Sequence, residues 1–134
     1  MVSAIKRRTA VVTLAVVMLV ASLGLAAWAA TSAGIPVGQS VVFSSSVSKN
    51  CTGVDGLVAI KVYTFDFGWF DSTGTTTMRF HRGGTWKYKS YQGEHDEVVR
   101  TWFTGVSYVN AAQAAVSNVW SGGAGTVSVY CYGT

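Results

Sequence analysis

Beyond Ala30, apolar and polar residues alternate with a period of two in one segment after another, the pattern of half-buried strands. Val58-Ala59-Ile60-Lys61-Val62-Tyr63-Thr64-Phe65 is a strong strand, apolar on both faces at its start, which predicts a central place in a sheet. From Thr76 to His81, Thr76, Met78 and Phe80 share one face, while Thr77, Arg79 and His81 share the other. Trp86, Tyr88 and Ser90 oppose Lys87 and Lys89 in the cleanest alternation of the chain. Glu97 to Thr104 sets Val99 and Phe103 against Val98, Arg100 and Trp102, and Thr126 to Tyr132 puts Val127, Val129 and Cys131 on one face. Ser40 to Val47 is a weaker opening strand. Gly- and Ser-rich separators divide these runs, and Arg82-Gly83-Gly84-Thr85 reads as a tight hairpin turn.

Composition points the same way. Residues 30–134 hold fifteen valines, twelve threonines and sixteen aromatics but one leucine, Leu57. Such β-branched and aromatic side chains suit a pleated surface and lose rotamer freedom in a helix. One segment resists. Asn110-Ala111-Ala112-Gln113-Ala114-Ala115-Val116 has helix formers behind an Asn cap, and Val109, Ala112, Val116 and Val119 recur at helical spacing. Its small residues fit a tightly packed strand equally well. The expected fold is all-β: a small antiparallel β-sandwich or barrel of six to seven strands, with one short helix near 110–118 as an open option.

The first residues have a different character. Lys6, Arg7 and Arg8 precede an apolar run from Ala10 to Ala30, broken only by Thr13, Ser22 and Gly24. Ala27-Trp28-Ala29 supplies small residues for cleavage after Ala29, and Thr31-Ser32-Ala33 is a second candidate. This is the anatomy of a secretory signal. The competing reading is an uncleaved helical anchor, since about 20 apolar residues span a bilayer. Either reading places the rest outside the membrane, because the positive flank stays in the cytoplasm. The expected organisation is a signal or anchor over 1–29, a flexible lead over 30–38 and a β-sandwich domain over 39–134. Without the leader, seven Lys and Arg face six Asp and Glu, so the formal charge of +4 falls to +1. A nucleic-acid partner loses its premise there. A membrane partner remains only if the N-terminal segment is retained.

Two cysteines in an exported chain most simply make one disulfide, Cys51–Cys131. Two free thiols or a metal site are the alternatives. An immunoglobulin framework is not supported, because only three residues follow Cys131 and Val129 stands where a Tyr belongs.

Candidate chemistry is sparse. Glu94, His95 and Asp96, with Glu97, form the one dense polar cluster and are weak metal candidates, but neighbours on a strand point to opposite faces. His81 and His95 could enter a Ser–His–Asp triad, yet no Gly-x-Ser-x-Gly elbow exists. Asp66 and Asp71 could act as a glycosidase pair if they lay close enough. These two carboxylates also flank Phe67-Gly68-Trp69-Phe70, where rings can stack on sugar C–H surfaces and carboxylates can accept hydroxyl protons. Trp69, Phe70, Asp66 and Asp71 are therefore candidate ligand-binding residues, against a reading in which Phe65, Phe67 and Trp69 alternate into the core. Trp86 and Tyr88 form a second candidate surface, against a reading that buries them and solvates Lys87 and Lys89. Asn50-Cys51-Thr52 matches a glycosylation sequon, which the Cys inside it undercuts.

Gly83-Gly84-Thr85-Trp86-Lys87-Tyr88 resembles, over about six residues, the Gly-Thr-Trp opening of lactococcin-972-type secreted bacteriocins. That resemblance implies a small β-sandwich acting as an antagonist. Nothing after it matches, and members of that family are not expected to need a disulfide. The leading expectation is a secreted, non-enzymatic protein that binds extracellular glycan or cell-envelope polymer without a cofactor. A secreted bacteriocin-like antagonist and a small hydrolase using Asp66 and Asp71 are the rival readings.

Overall fold

A computed structural model of the chain describes residues 31–66, 73–119 and 122–133. The leader over 1–29 therefore lies outside the described residues. The described residues form a β-sandwich of two four-stranded antiparallel sheets. Strands β1 (Thr31–Ile35), β8 (Gly123–Tyr132), β3 (Leu57–Asp66) and β6 (Val98–Phe103) make one sheet in the order β1-β8-β3-β6. Strands β2 (Val47–Asn50), β7 (Tyr108–Ser117), β4 (Thr73–Arg82) and β5 (Thr85–Glu94) make the other, ordered β2-β7-β4-β5. The one helical turn described is a 3-10 turn at Thr52–Val54.

Alternation builds the core as expected. Val58, Ile60 and Val62 of β3 and Val127 and Val129 of β8 face Met78 and Phe80 of β4, and all are buried. The ring of Trp102 on β6 packs against Phe80 at 4.9 Å. Cys51, just after β2, is bonded to Cys131 on β8, so the disulfide ties one sheet to the other. The hairpin forms where Arg82-Gly83-Gly84-Thr85 predicts it. Gly83 and Gly84 take φ of 60° and 79°, which a two-residue hairpin turn demands and glycine permits without strain.

Two expectations are corrected. The described residues form eight strands rather than six or seven, and the segment near 110–118 is strand, not helix. The alanine run is explained by its neighbours. Ala112 stands opposite Phe80 and Ala114 opposite Met78 across the β4–β7 pair, where small side chains leave room for large ones. Within the lead over 30–38, Thr31–Ile35 is a paired strand along β8. Ser40 to Val47, expected to open the sheet, is strand only at its last residue, Val47. Ser44 nevertheless serves the β7 edge twice, its N–H donating to the Ala114 carbonyl at 2.9 Å and its Oγ accepting the Ala114 N–H at 3.1 Å.

Candidate functional site

The outer face of the β2-β7-β4-β5 sheet follows from register alone. Directly paired residues of antiparallel strands lie on the same side. Thr75, Thr77, Arg79 and His81 of β4 are paired with Gln92, Ser90, Tyr88 and Trp86 of β5. On the other flank of β4, Arg79 pairs with Gln113 and His81 with Ala111 of β7. These residues alternate with buried Thr76, Met78 and Phe80, so they point away from the core. The row from Thr75 to His81 is about 20 Å long at roughly 3.4 Å per residue.

At one end the row is aromatic and cationic. The Arg79 guanidinium lies 3.6 Å from the centroid of the Phe43 ring and 4.4 Å from that of Trp86. Its Nε and Nη2 both donate to Gln113 Oε1, at 2.8 and 2.6 Å. The amide thus fixes the plane of the cation between two π faces, an arrangement favourable for each ring. His81 also packs against Trp86, with ring centroids 5.2 Å apart. Tyr88, opposite Arg79, is 57% exposed.

Toward the other end the row becomes hydroxyl and amide. Thr77 Oγ1 and Ser90 Oγ are 3.3 Å apart, and Asn118 Nδ2 donates to Thr75 Oγ1 at 3.1 Å. An open depression of about 450 Å³ ends the row, lined by Thr73, Gly74, Thr75, Gln92, Gly93 and Asn118. No acidic side chain stands in the row between Thr75 and Gln92. The face offers rings, donors and acceptors, and a fixed positive charge. That combination suits stacking and hydrogen bonding to a polyhydroxylated chain.

The predicted site residues divide. Trp86, half-buried, and Tyr88, exposed, lie on this outward face, so the alternative that buries them does not hold, although the lysines are solvated as that alternative expected. The cause is position: β5 is an edge strand, and the side of it carrying Lys87 and Lys89 runs past the edge of the sandwich, where both lysines are exposed. Trp69, Phe70 and Asp71 lie outside the described residues, and Asp66 ends β3 with only its backbone described. The alternation of Phe65 into the core does not hold. Phe65 shares its side of β3 with exposed Lys61 and Tyr63, opposite to Val62 and Thr64. The weak metal candidates point apart, with Glu94 exposed, His95 buried and Asp96 half-buried. Among the described residues, no three His, Cys, Asp or Glu side chains gather in a way that could hold a metal ion.

Sequence reasoning missed Phe43, Arg79, Gln113 and Asn118 as parts of one face. The turn at Gly83-Gly84 fixes the Arg79–Tyr88 pairing and could have found Arg79. Gln113 and Phe43 come from distant segments with no local signal.

Comparison with known proteins finds nothing similar: no family model, no curated protein and no solved structure matches the chain. The six-residue likeness at Gly83–Tyr88 therefore stays local, and function rests on geometry.

Proposed function

We propose that this protein is a small exported, non-enzymatic β-sandwich that binds glycan or cell-envelope polymer outside the cell. The ligand would lie along the outer face of the β2-β7-β4-β5 sheet. One observation carries the reading: exposed Tyr88 and half-buried Trp86 share a row with Arg79, Thr77, Ser90, Thr75 and Gln92, and the first acid on that side is Glu94, opposite Thr73 at the far end. A monomer of a sugar chain could stack on Tyr88 while neighbouring units reach the hydroxyls and amides toward Asn118.

The disulfide supports an oxidising, extracytoplasmic address. No helix among the described residues is long and apolar enough to cross a membrane. The position of β1 favours one of the two cleavage points. Cutting after Ala29 leaves Thr31–Ile35 whole, whereas cutting after Ala33 removes Thr31, Ser32 and Ala33 from their pairing with β8. Intact-mass measurement of protein from the medium should give Ala30 as the first residue. A first residue at Gly34, or a retained leader, contradicts this part of the reading.

The binding test is retention of purified protein by insoluble envelope polysaccharide. The unmodified protein should be retained and Tyr88→Ala released. No retention of the unmodified protein removes the proposal.

A further inference from the structure

A second cavity, of about 390 Å³, opens on the opposite side of the β4–β5 hairpin from the row just described. Phe80 pairs with Lys87 and Arg82 with Thr85, so all four project to the core side of the sheet at the point where the core ends. Val106 and Tyr108 complete the walls. The floor is therefore apolar and the mouth carries two cations.

Three features make this a site rather than a gap. First, Arg82 is held in place, its guanidinium carbon 4.4 Å from the centroid of the Tyr108 ring. Second, Arg82 and Lys87 both line the cavity, and no carboxylate stands among its lining residues. Third, the turn leaves the mouth open: a Cβ at Gly83 or Gly84 would meet nothing within 4 Å. The surrounding charge adds to the effect. Along the hairpin, Arg79, Arg82, Lys87 and Lys89 precede any acid, the first being Glu94 at the far end of β5. Several cations on one hairpin raise the local concentration of anions. The volume falls within the range of small-molecule sites, roughly 300–1,000 Å³.

We infer that this cavity binds an organic anion, a sugar-sized body whose carboxylate or phosphate is held between Arg82 and Lys87. The apolar face of the ring rests on Phe80 and Val106, and the Thr85 hydroxyl supplies one further hydrogen bond. Guanidinium offers a forked set of donors to either anion, and the lysine adds a mobile point charge. This inference stands apart from the outer-face reading, because it needs neither Tyr88 nor the Arg79 stack.

The test is an amide-shift titration of the full mature protein with glucuronate, glucose 6-phosphate and neutral glucose as probes. The two acidic sugars should shift the amides of Gly83, Thr85 and Lys87, and glucose should not. Arg82→Gln and Lys87→Gln should each weaken the effect about tenfold, as for loss of one charge-assisted hydrogen bond. Added salt should weaken it too. A response to glucuronate alone assigns the carboxylate, to glucose 6-phosphate alone the phosphate, and to both a site that reads charge. Equal response to glucose, or no shift at these amides with either anion, overturns the inference. The shifts on the unmodified protein decide the matter even if a variant unfolds. Failure here leaves retention by neutral polysaccharide through Tyr88 untouched.

Discussion

On the β2-β7-β4-β5 sheet the outward rings rest against cations, and on the β1-β8-β3-β6 sheet they rest against each other. Phe43 and Trp86 clasp Arg79, which Gln113 holds level. Phe103 instead meets Tyr132 edge-to-face, with centroids 4.9 Å apart. The residues directed outward on that second sheet include Tyr63, Val99 and Phe103, at 40, 52 and 60% exposure. Lys61 is the one charged side chain described there on β3, β6 and β8. Both faces are built by the same alternation. They differ in what accompanies the rings. The second face also carries hydroxyls, Thr101 and Ser128 beside Lys61 and Thr126 beside Tyr63, but the side-chain amide and the guanidinium held between rings are described on the first face alone. Under the proposed function, selectivity for a polar chain belongs to the first.

Four variants test that contrast, the largest effect coming first. Cys51→Ser with Cys131→Ser unties the two sheets and should cost roughly 4–5 kcal/mol in denaturant unfolding, given a closed loop of 80 residues. Binding through the first face should then fail near the midpoint of unfolding; full stability without the bond would show that the sheets hold each other unaided. Arg79→Ala empties the space between Phe43 and Trp86. Polysaccharide affinity should fall more than about tenfold, with stability down about 1–2 kcal/mol for the two lost ring contacts. Tyr88→Ala should lower affinity about tenfold yet move unfolding by less than about 0.5 kcal/mol, because an exposed ring adds little to the fold. Phe103→Ser should leave polysaccharide affinity unchanged and cost under about 1.5 kcal/mol, the range of one aromatic pair. If Phe103→Ser weakened binding more than Tyr88→Ala, the roles of the two faces would be reversed.

The central strands were legible because both of their neighbours are protein. Thr126 to Tyr132 shows which side is buried, Val58 to Phe65 shows a central strand but not which face turns inward, and the Gly83-Gly84 turn fixes a register. The disulfide followed from the count of cysteines and the expectation of export. Alternation alone does not say which side of an edge strand faces inward, so Trp86 and Tyr88 kept two readings until β5 was located at the border. The alanine run of β7 was ambiguous for a different reason. Its meaning lies in Phe80 and Met78, more than thirty residues away, which need the space. The site was least legible of all, because Phe43, Arg79 and Gln113 meet only after β7 has paired with β4.

The most direct test maps where the ligand touches. A soluble digest of envelope polysaccharide, titrated into isotopically labelled mature protein, should shift the amides of Thr77, Arg79, Tyr88, Ser90 and Gln92. Signals from Val99, Phe103 and Tyr130 should stay in place. Shifts confined to those last three, or no shift anywhere on the first face, would contradict the account.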